Sequence, residues 1–185
     1  MDKLNDFIHV YENALNSNIC DFLVSFFDEV SYKHERYDNN GTPNFTQLNL
    51  TENLQLKSEI EVVHNHIIEK VFEYMEKYSQ FMDKNFFPTE PGLEQFRIKK
   101  YNPGGKDRFD THVDVVDYPS SRRFLSFFWY LNDVEQGGET VFKNLKIKPS
   151  KGKLVIFPPL WMFPHKGSPP ISQAKYLLST YLHYT

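Results

Sequence analysis

The feature that most constrains this chain is a change of hydrophobic period near residue 93. Before it, apolar residues recur at helical spacing; after it, they fall in short runs cut by proline and glycine. In the first half, Ile19, Phe22, Leu23, Phe26, Phe27 and Val30 predict a helix that Asn16 or Ser17 can cap. Ile60, Val63, Ile67, Val71, Met75 and Tyr78 predict a second, long helix from about Leu54 to Met82. Residues 7–11 read as a short strand. Residues 32–50 hold Asp38-Asn39-Asn40-Gly41 and Pro43, which suggest a hairpin or a mobile loop. In the second half, β-rich runs at 94–101, 109–115, 123–131, 139–142, 145–148, 153–157 and 175–184 are separated by turn residues such as Pro103-Gly104-Gly105 and Gly137-Gly138. The expected fold is α+β, with helices packed against a sandwich or barrel of short strands.

A chain of 185 residues fits one domain, 1–185, with 1–92 as helical support and flap region and 93–185 as the strand-rich core. Its 40% hydrophobic and 16% aromatic content excludes a disordered chain. A formal charge of −3 gives no footprint for nucleic acid. The single cysteine, Cys20, lies in an apolar helical pattern, so a buried thiol and a reducing compartment are expected. The N-terminus has no apolar core of signal-peptide length, and no run approaches the ~20 apolar residues that span a bilayer. The expectation is a cytoplasmic protein without nucleic-acid or membrane partners, its oligomeric state not legible.

His112-Val113-Asp114 first suggests chemistry. In a strand, residues i and i+2 project to one face, so an imidazole and a carboxylate would converge on one point. His165 is the candidate third ligand, and two histidines with one carboxylate leave coordination positions open, the arrangement of non-haem Fe(II) oxygenases. An H-x-D triplet alone is common, and Asp110, two residues before His112, rivals Asp114 on spacing. A second signal is Lys175, which would share a strand face with Leu177, Ser179 and Tyr181. A lysine pointing into a barrel is costly unless an anion meets it; the alternative is a strand-end lysine reaching solvent.

Taken in order, His112-Val113-Asp114, Tyr130-Leu131-Asn132, Gly137-Gly138-Glu139-Thr140-Val141-Phe142, Phe157-Pro158, His165-Lys166-Gly167-Ser168-Pro169 and Lys175 resemble the catalytic domain of prolyl 4-hydroxylases, in the Fe(II)/2-oxoglutarate-dependent dioxygenase superfamily. The resemblance covers roughly the last 90 residues. It implies a double-stranded β-helix (jelly roll) supported by N-terminal helices. It favours Asp114 over Asp110 and makes His112, Asp114 and His165 the iron ligands. Lys175 matches the residue that pairs with the distal carboxylate of 2-oxoglutarate, while Tyr101, Tyr130 and Ser126 match positions lining the cosubstrate pocket. Arg123 resembles a substrate-contacting position at the mouth, and Arg36 and Tyr37 would supply contacts from a flap over 32–50. The implied cofactors are Fe(II), with 2-oxoglutarate and O2 as cosubstrates and ascorbate as a further candidate. The implied substrate is a proline-containing peptide or protein. A hydroxylase of a free amino acid or other small molecule is the alternative, and a jelly-roll binding module without iron is a third reading.

Overall fold

The structure, a computed structural model that describes residues 3–185, consists of two packed antiparallel sheets with helices on one side. The N-terminal half contributes β1 (His9–Tyr11), α1 (Ser17–Glu29), β2 (Glu35–Asp38), β3 (Asn44–Asn49), α2 (Ser58–Ser79) and β4 (Pro91–Leu93). The remainder is β5 (Arg97–Tyr101), β6 (Phe109–His112), β7 (Arg123–Tyr130), β8 (Thr140–Phe142), β9 (Leu145–Ile147), β10 (Leu154–Phe157), β11 (His165–Gly167) and β12 (Lys175–Tyr184). The major sheet runs β1-β10-β7-β12-β5-β3-β2, with β4 also paired to β12, and the minor sheet runs β6-β11-β8-β9. Neighbours distant in sequence and two packed sheets make this the expected double-stranded β-helix.

Asn16 caps α1, its side chain accepting from the Asn18 N–H at 2.8 Å. Cys20, Leu23, Phe26 and Phe27 form the buried stripe of that helix. In α2 the buried stripe is Ile60, His64, Ile67, Val71, Tyr74 and Tyr78, the 3.6-residue period legible in the sequence. That helix starts later than Leu54, because Thr51–Leu56 is a tighter 3-10 stretch kinked at Asn53. There the Asn53 amide donates to the Asn49 carbonyl, giving the backbone a local alternative to the helix. Both helical stripes join one apolar cluster with Leu125, Phe127, Trp129, Leu178 and Leu182 of the major sheet.

Residues 32–50 are a hairpin, and half of it is structural. β3 is paired on one side to β2 and on the other to β5, with Phe45 and Leu48 buried, so of the two expected forms the stretch takes the hairpin. Only β2 and the turn to β3 lie at the sheet edge, every β2 residue exposed. The boundary at 92/93 likewise separates helices from most strands but not from the sheet. β1 pairs β10 and β3 pairs β5, so the N-terminal half completes the major sheet. Two short strands, β4 and β11, lie outside the β-rich runs of the hydrophobic pattern.

Candidate metal centre and active site

β12 shows how the sequence builds the cavity between the sheets. Its alternate residues Lys175, Leu177, Ser179 and Tyr181 line the cavity, as the strand period requires, while Tyr176, Leu178 and Leu182 face the helices. From β7 come Ser126 and Phe128, from β5 Lys99 and Tyr101, from β10 Phe157. The minor sheet closes the other side with Phe109, His112, Thr140, His165 and Gly167.

His112 and His165 are cross-strand partners between β6 and β11, their ring centroids 4.3 Å apart. Asp114 joins them with Oδ1 at 3.4 Å from His112 Nε2 and 3.9 Å from His165 Nε2, and ligand atoms of all three lie within 4.8 Å of one another. The route differs from the expected strand alternation: β6 ends at His112, so the turn that follows it delivers the Asp114 carboxylate. Asp110 is exposed and paired with Arg108 at 3.0 Å, away from the two imidazoles' shared carboxylate.

Hydrogen bonds fix both imidazole tautomers. His112 Nδ1 meets the Asp110 carbonyl at 2.8 Å and His165 Nδ1 the Phe163 carbonyl at 3.1 Å. A carbonyl only accepts, so each Nδ1 carries a proton and each ring turns its Nε2 toward Asp114. Burial lowers the His165 pKa and disfavours its charged form. Burial opposes charge on Asp114 too, but His112, His165 and Lys99 outweigh it and hold the carboxyl below its ordinary value. Two imidazole Nε2 atoms and one carboxylate oxygen turned to one point form a set suited to a divalent transition metal.

Lys175 is fully buried. Its ammonium donates to the Gly138 carbonyl at 3.0 Å and sits 4.5 Å from the centre of the Tyr101 ring. Burial pushes its pKa down to about 7, with Glu139 opposing weakly. A buried amine with one carbonyl partner, in the wall of a cavity holding a metal-type triad, is an anion receptor in search of its anion. Donor set and lysine together fit Fe(II) and 2-oxoglutarate.

Not every expected residue reaches the cavity. Tyr130 lies behind the wall: its hydroxyl is 2.6 Å from Thr140 Oγ1 and 3.3 Å from the Ile147 carbonyl, and Thr140 is the residue exposed to the cavity. Arg123 is committed to Glu94 through both guanidinium branches, at 2.8 and 3.0 Å, and donates to the Asp114 carbonyl at 2.6 Å. It therefore braces the Asp114 backbone, and it also lines two cavities beside the first. Arg36 is likewise paired with buried Asp107, at 3.0 and 2.5 Å. Tyr37 is half exposed and packs on Phe45, whose ring adjoins Tyr101 and Phe109. Sequence reasoning missed Lys99, Thr140 and Phe109. Tyr181, read only as a core-facing neighbour of Lys175, stands beside the triad. Its phenol is held well above its usual range by burial and by Asp114, and the Arg123 guanidinium lies 4.0 Å over its ring.

Residues 96–183 match the family model of the 2OG-Fe(II) oxygenase superfamily. A probable prolyl 4-hydroxylase 9 from Arabidopsis thaliana is 38% identical over 86 residues, covering 35% of this chain and 29% of that protein. The match thus spans under a third of the relative's length. The viral collagen prolyl hydroxylase of Paramecium Bursaria Chlorella virus-1, solved as its 2OG complex, superposes with a TM-score of 0.74 at 20% identity, covering 97% of each chain. A Trichoplax adhaerens prolyl hydroxylase, solved with a hypoxia inducible factor peptide fragment, gives 0.77 at 16% identity, covering 98% of this chain and 86% of that one. Likeness at such identity speaks for the fold, and the matched family speaks for residues 96–183. That segment is therefore similar to the 2OG-Fe(II) oxygenases, and the chain shares its fold with the prolyl hydroxylases it superposes on.

Proposed function

We propose that this chain is an Fe(II)- and 2-oxoglutarate-dependent dioxygenase that hydroxylates prolyl residues in peptides or proteins. The observation that carries the reading is one cavity lined by His112, Asp114 and His165 and by the buried Lys175. His112 Nε2, Asp114 Oδ1 and His165 Nε2 would hold the iron. Lys175 would receive the distal carboxylate of 2-oxoglutarate, with the Tyr101 ring against its ammonium and the Thr140 and Ser126 hydroxyls in the same wall. When bound, iron and 2-oxoglutarate supply the oxidative chemistry with O2, releasing succinate and carbon dioxide. Phe109, stacked on His112 at 3.4 Å, and Phe128 and Phe157 keep water from the reacting centre. Arg123 holds the Asp114 carbonyl, so the carboxylate is aimed before any metal arrives. The exposed β2 edge, with Tyr37 beside the Phe45–Tyr101 contact, is the surface best placed to meet an extended peptide. We take 1–185 as one working unit, since β1 and β3 complete the sheet that carries Lys175. A cytoplasmic setting suits Cys20, a buried free thiol.

The test is 2-oxoglutarate turnover with Fe(II) in air, with a panel of proline-containing peptides scored by mass spectrometry for one added oxygen. Turnover should vanish on chelation. His165→Ala should lower it by on the order of a thousandfold, removing metal binding measured by calorimetry, while circular dichroism stays native. A fully active His165→Ala, or turnover that survives chelation, would remove the reading.

A further inference from the structure

We propose that Lys99 is the receptor for a carboxylate that the hydroxylation substrate carries close to its reacting carbon. The inference rests on the hydroxylase reading above and concerns a residue for which that reading has no use.

Lys99 lines the same cavity as the triad and Lys175, yet among the described residues its ammonium has neither a hydrogen bond nor an ion pair. The ring of Phe45 lies 5.3 Å from the ammonium, while Asp114 and Glu94 act on its charge from beyond hydrogen-bond reach. Two lysines in one cavity need two explanations, and the sheet register separates them. Lys175 lies opposite Tyr101, and Lys99 opposite Leu177, one pleat along β5 toward Arg97, which shares a second cavity with Asp114. Lys99 therefore stands nearer the metal end of the cavity and Lys175 farther from it, and the charge of Lys99 acts on Asp114 and His165.

Counting charges in the loaded site leads to the substrate. The two positive charges of iron and the one on Lys175 are met by Asp114 and by the two carboxylates of 2-oxoglutarate. Lys99 is left with no carboxylate in contact, since Asp114 faces the metal site and Glu94 is paired with Arg123, in a wall otherwise rich in aromatic rings. An uncompensated cation there is costly, and an arriving carboxylate would remove that cost by forming a charge-assisted hydrogen bond. One neighbouring residue on the same strand is also a cation without a carboxylate partner. Arg97, two residues earlier on β5, donates only to the side chain and carbonyl of Gln95, at 2.9 and 3.4 Å, and has no carboxylate partner among the described residues. It lines a second cavity that shares Asp114 with the first, so an arginine without a carboxylate partner stands on the approach to the metal triad.

Such a carboxylate has two sources: an acidic side chain beside the target proline in a peptide, or the carboxylate of free proline. Wild type and Lys99→Met, each loaded with Mn(II) and 2-oxoglutarate without O2, are titrated calorimetrically with two matched pairs. One pair is a peptide with Glu beside Pro and its Gln counterpart; the other is L-proline and L-prolinamide. Wild type should bind the carboxylate member of one pair at least tenfold tighter than its amide. Lys99→Met should lose that preference while binding 2-oxoglutarate as well as wild type. Preference in the peptide pair assigns the acidic side chain; preference in the second pair assigns the free amino acid. Equal or absent binding of both members in both pairs overturns the proposal, as does a preference that survives in Lys99→Met. A tenfold loss of 2-oxoglutarate affinity in Lys99→Met overturns it too, by making Lys99 a cosubstrate residue. A wild type that binds no 2-oxoglutarate removes the hydroxylase reading, and this proposal with it.

Discussion

The two faces of the major sheet are made by the same strands and behave as different materials. On the helix side, Leu125, Phe127 and Trp129 of β7 and Leu178 and Leu182 of β12 form unbroken apolar packing against α1 and α2. One residue along each strand, Ser126 and Phe128, or Lys175, Leu177, Ser179 and Tyr181, faces the cavity. The period of two separates the tasks: hydrocarbon that holds the sheet flat against the helices, and polar groups embedded among aromatic rings. It follows that stability and function should respond to substitutions on opposite faces.

The largest expected effect breaks the helix side. Phe127 is fully buried between the sheet and the helices. Phe127→Ala should cost about 3–5 kcal/mol in chemical denaturation, since it removes the transfer energy of the ring and leaves a cavity. Iron and 2-oxoglutarate binding should survive in whatever fraction stays folded. If Phe127→Ala leaves stability intact but abolishes 2-oxoglutarate binding, the division between the faces is wrong.

Much of this division was legible in the sequence, and particular residues show why. Alternation along Lys175–Tyr184 placed Lys175, Leu177, Ser179 and Tyr181 on one face, as found. The stripes of α1 and α2 were equally plain, because helix burial depends on spacing within a single segment. Relations between segments were harder. β3 is half polar, and its place in the sheet depends on β5, some fifty residues away. Asp114 and its rival Asp110 had equal standing on spacing, because the turn after β6 decides between them. Lys99 was passed over because paired lysines on a strand, Lys99 and Lys100, look like a solvated edge. Only one of them is: Lys100 reaches Asp28 on α1 at 2.9 Å, and Lys99 turns inward.

Lys175 sharpens the comparison from the cavity side. Lys175→Met should raise the 2-oxoglutarate requirement at least tenfold and leave metal affinity unchanged, because the ammonium is buried at the far end of the cavity. Its stability effect has the opposite sign from that of Phe127→Ala. The amine titrates at about 7 when folded and at its ordinary 10.5 when unfolded, so between those values the unfolded chain holds more protons. The penalty of burying the charge is fully present below pH 7 and is relieved as pH rises toward 10. Without 2-oxoglutarate, wild type should therefore gain stability relative to Lys175→Met between pH 7 and 9, by on the order of 1 kcal/mol per pH unit. A parallel pH dependence in the two proteins would mean that the folded lysine keeps its ordinary pKa.

The smallest effect probes the boundary between wall and backing. Tyr130 is in the strand phase that faces the cavity, yet its hydroxyl stops at Thr140 Oγ1 and the Ile147 carbonyl. A carbonyl accepts only, so when the Tyr130 proton goes to Ile147, the Thr140 proton goes to Tyr130. Thr140 then presents lone pairs to the cavity instead of a donor. Tyr130 is thus a positioning residue that acts through Thr140. Tyr130→Phe should cost about 1 kcal/mol of stability for the lost hydrogen bond. It should change the 2-oxoglutarate requirement by no more than about threefold, since the Thr140 hydroxyl stays in place and only its orientation is freed. Thr140→Val should then reproduce the cosubstrate effect and add nothing when combined with Tyr130→Phe, as expected of two residues acting through one contact. If Tyr130→Phe raises the requirement as far as Lys175→Met does, the phenol itself reaches the cosubstrate, and the cavity wall is one residue deeper than the structure draws it.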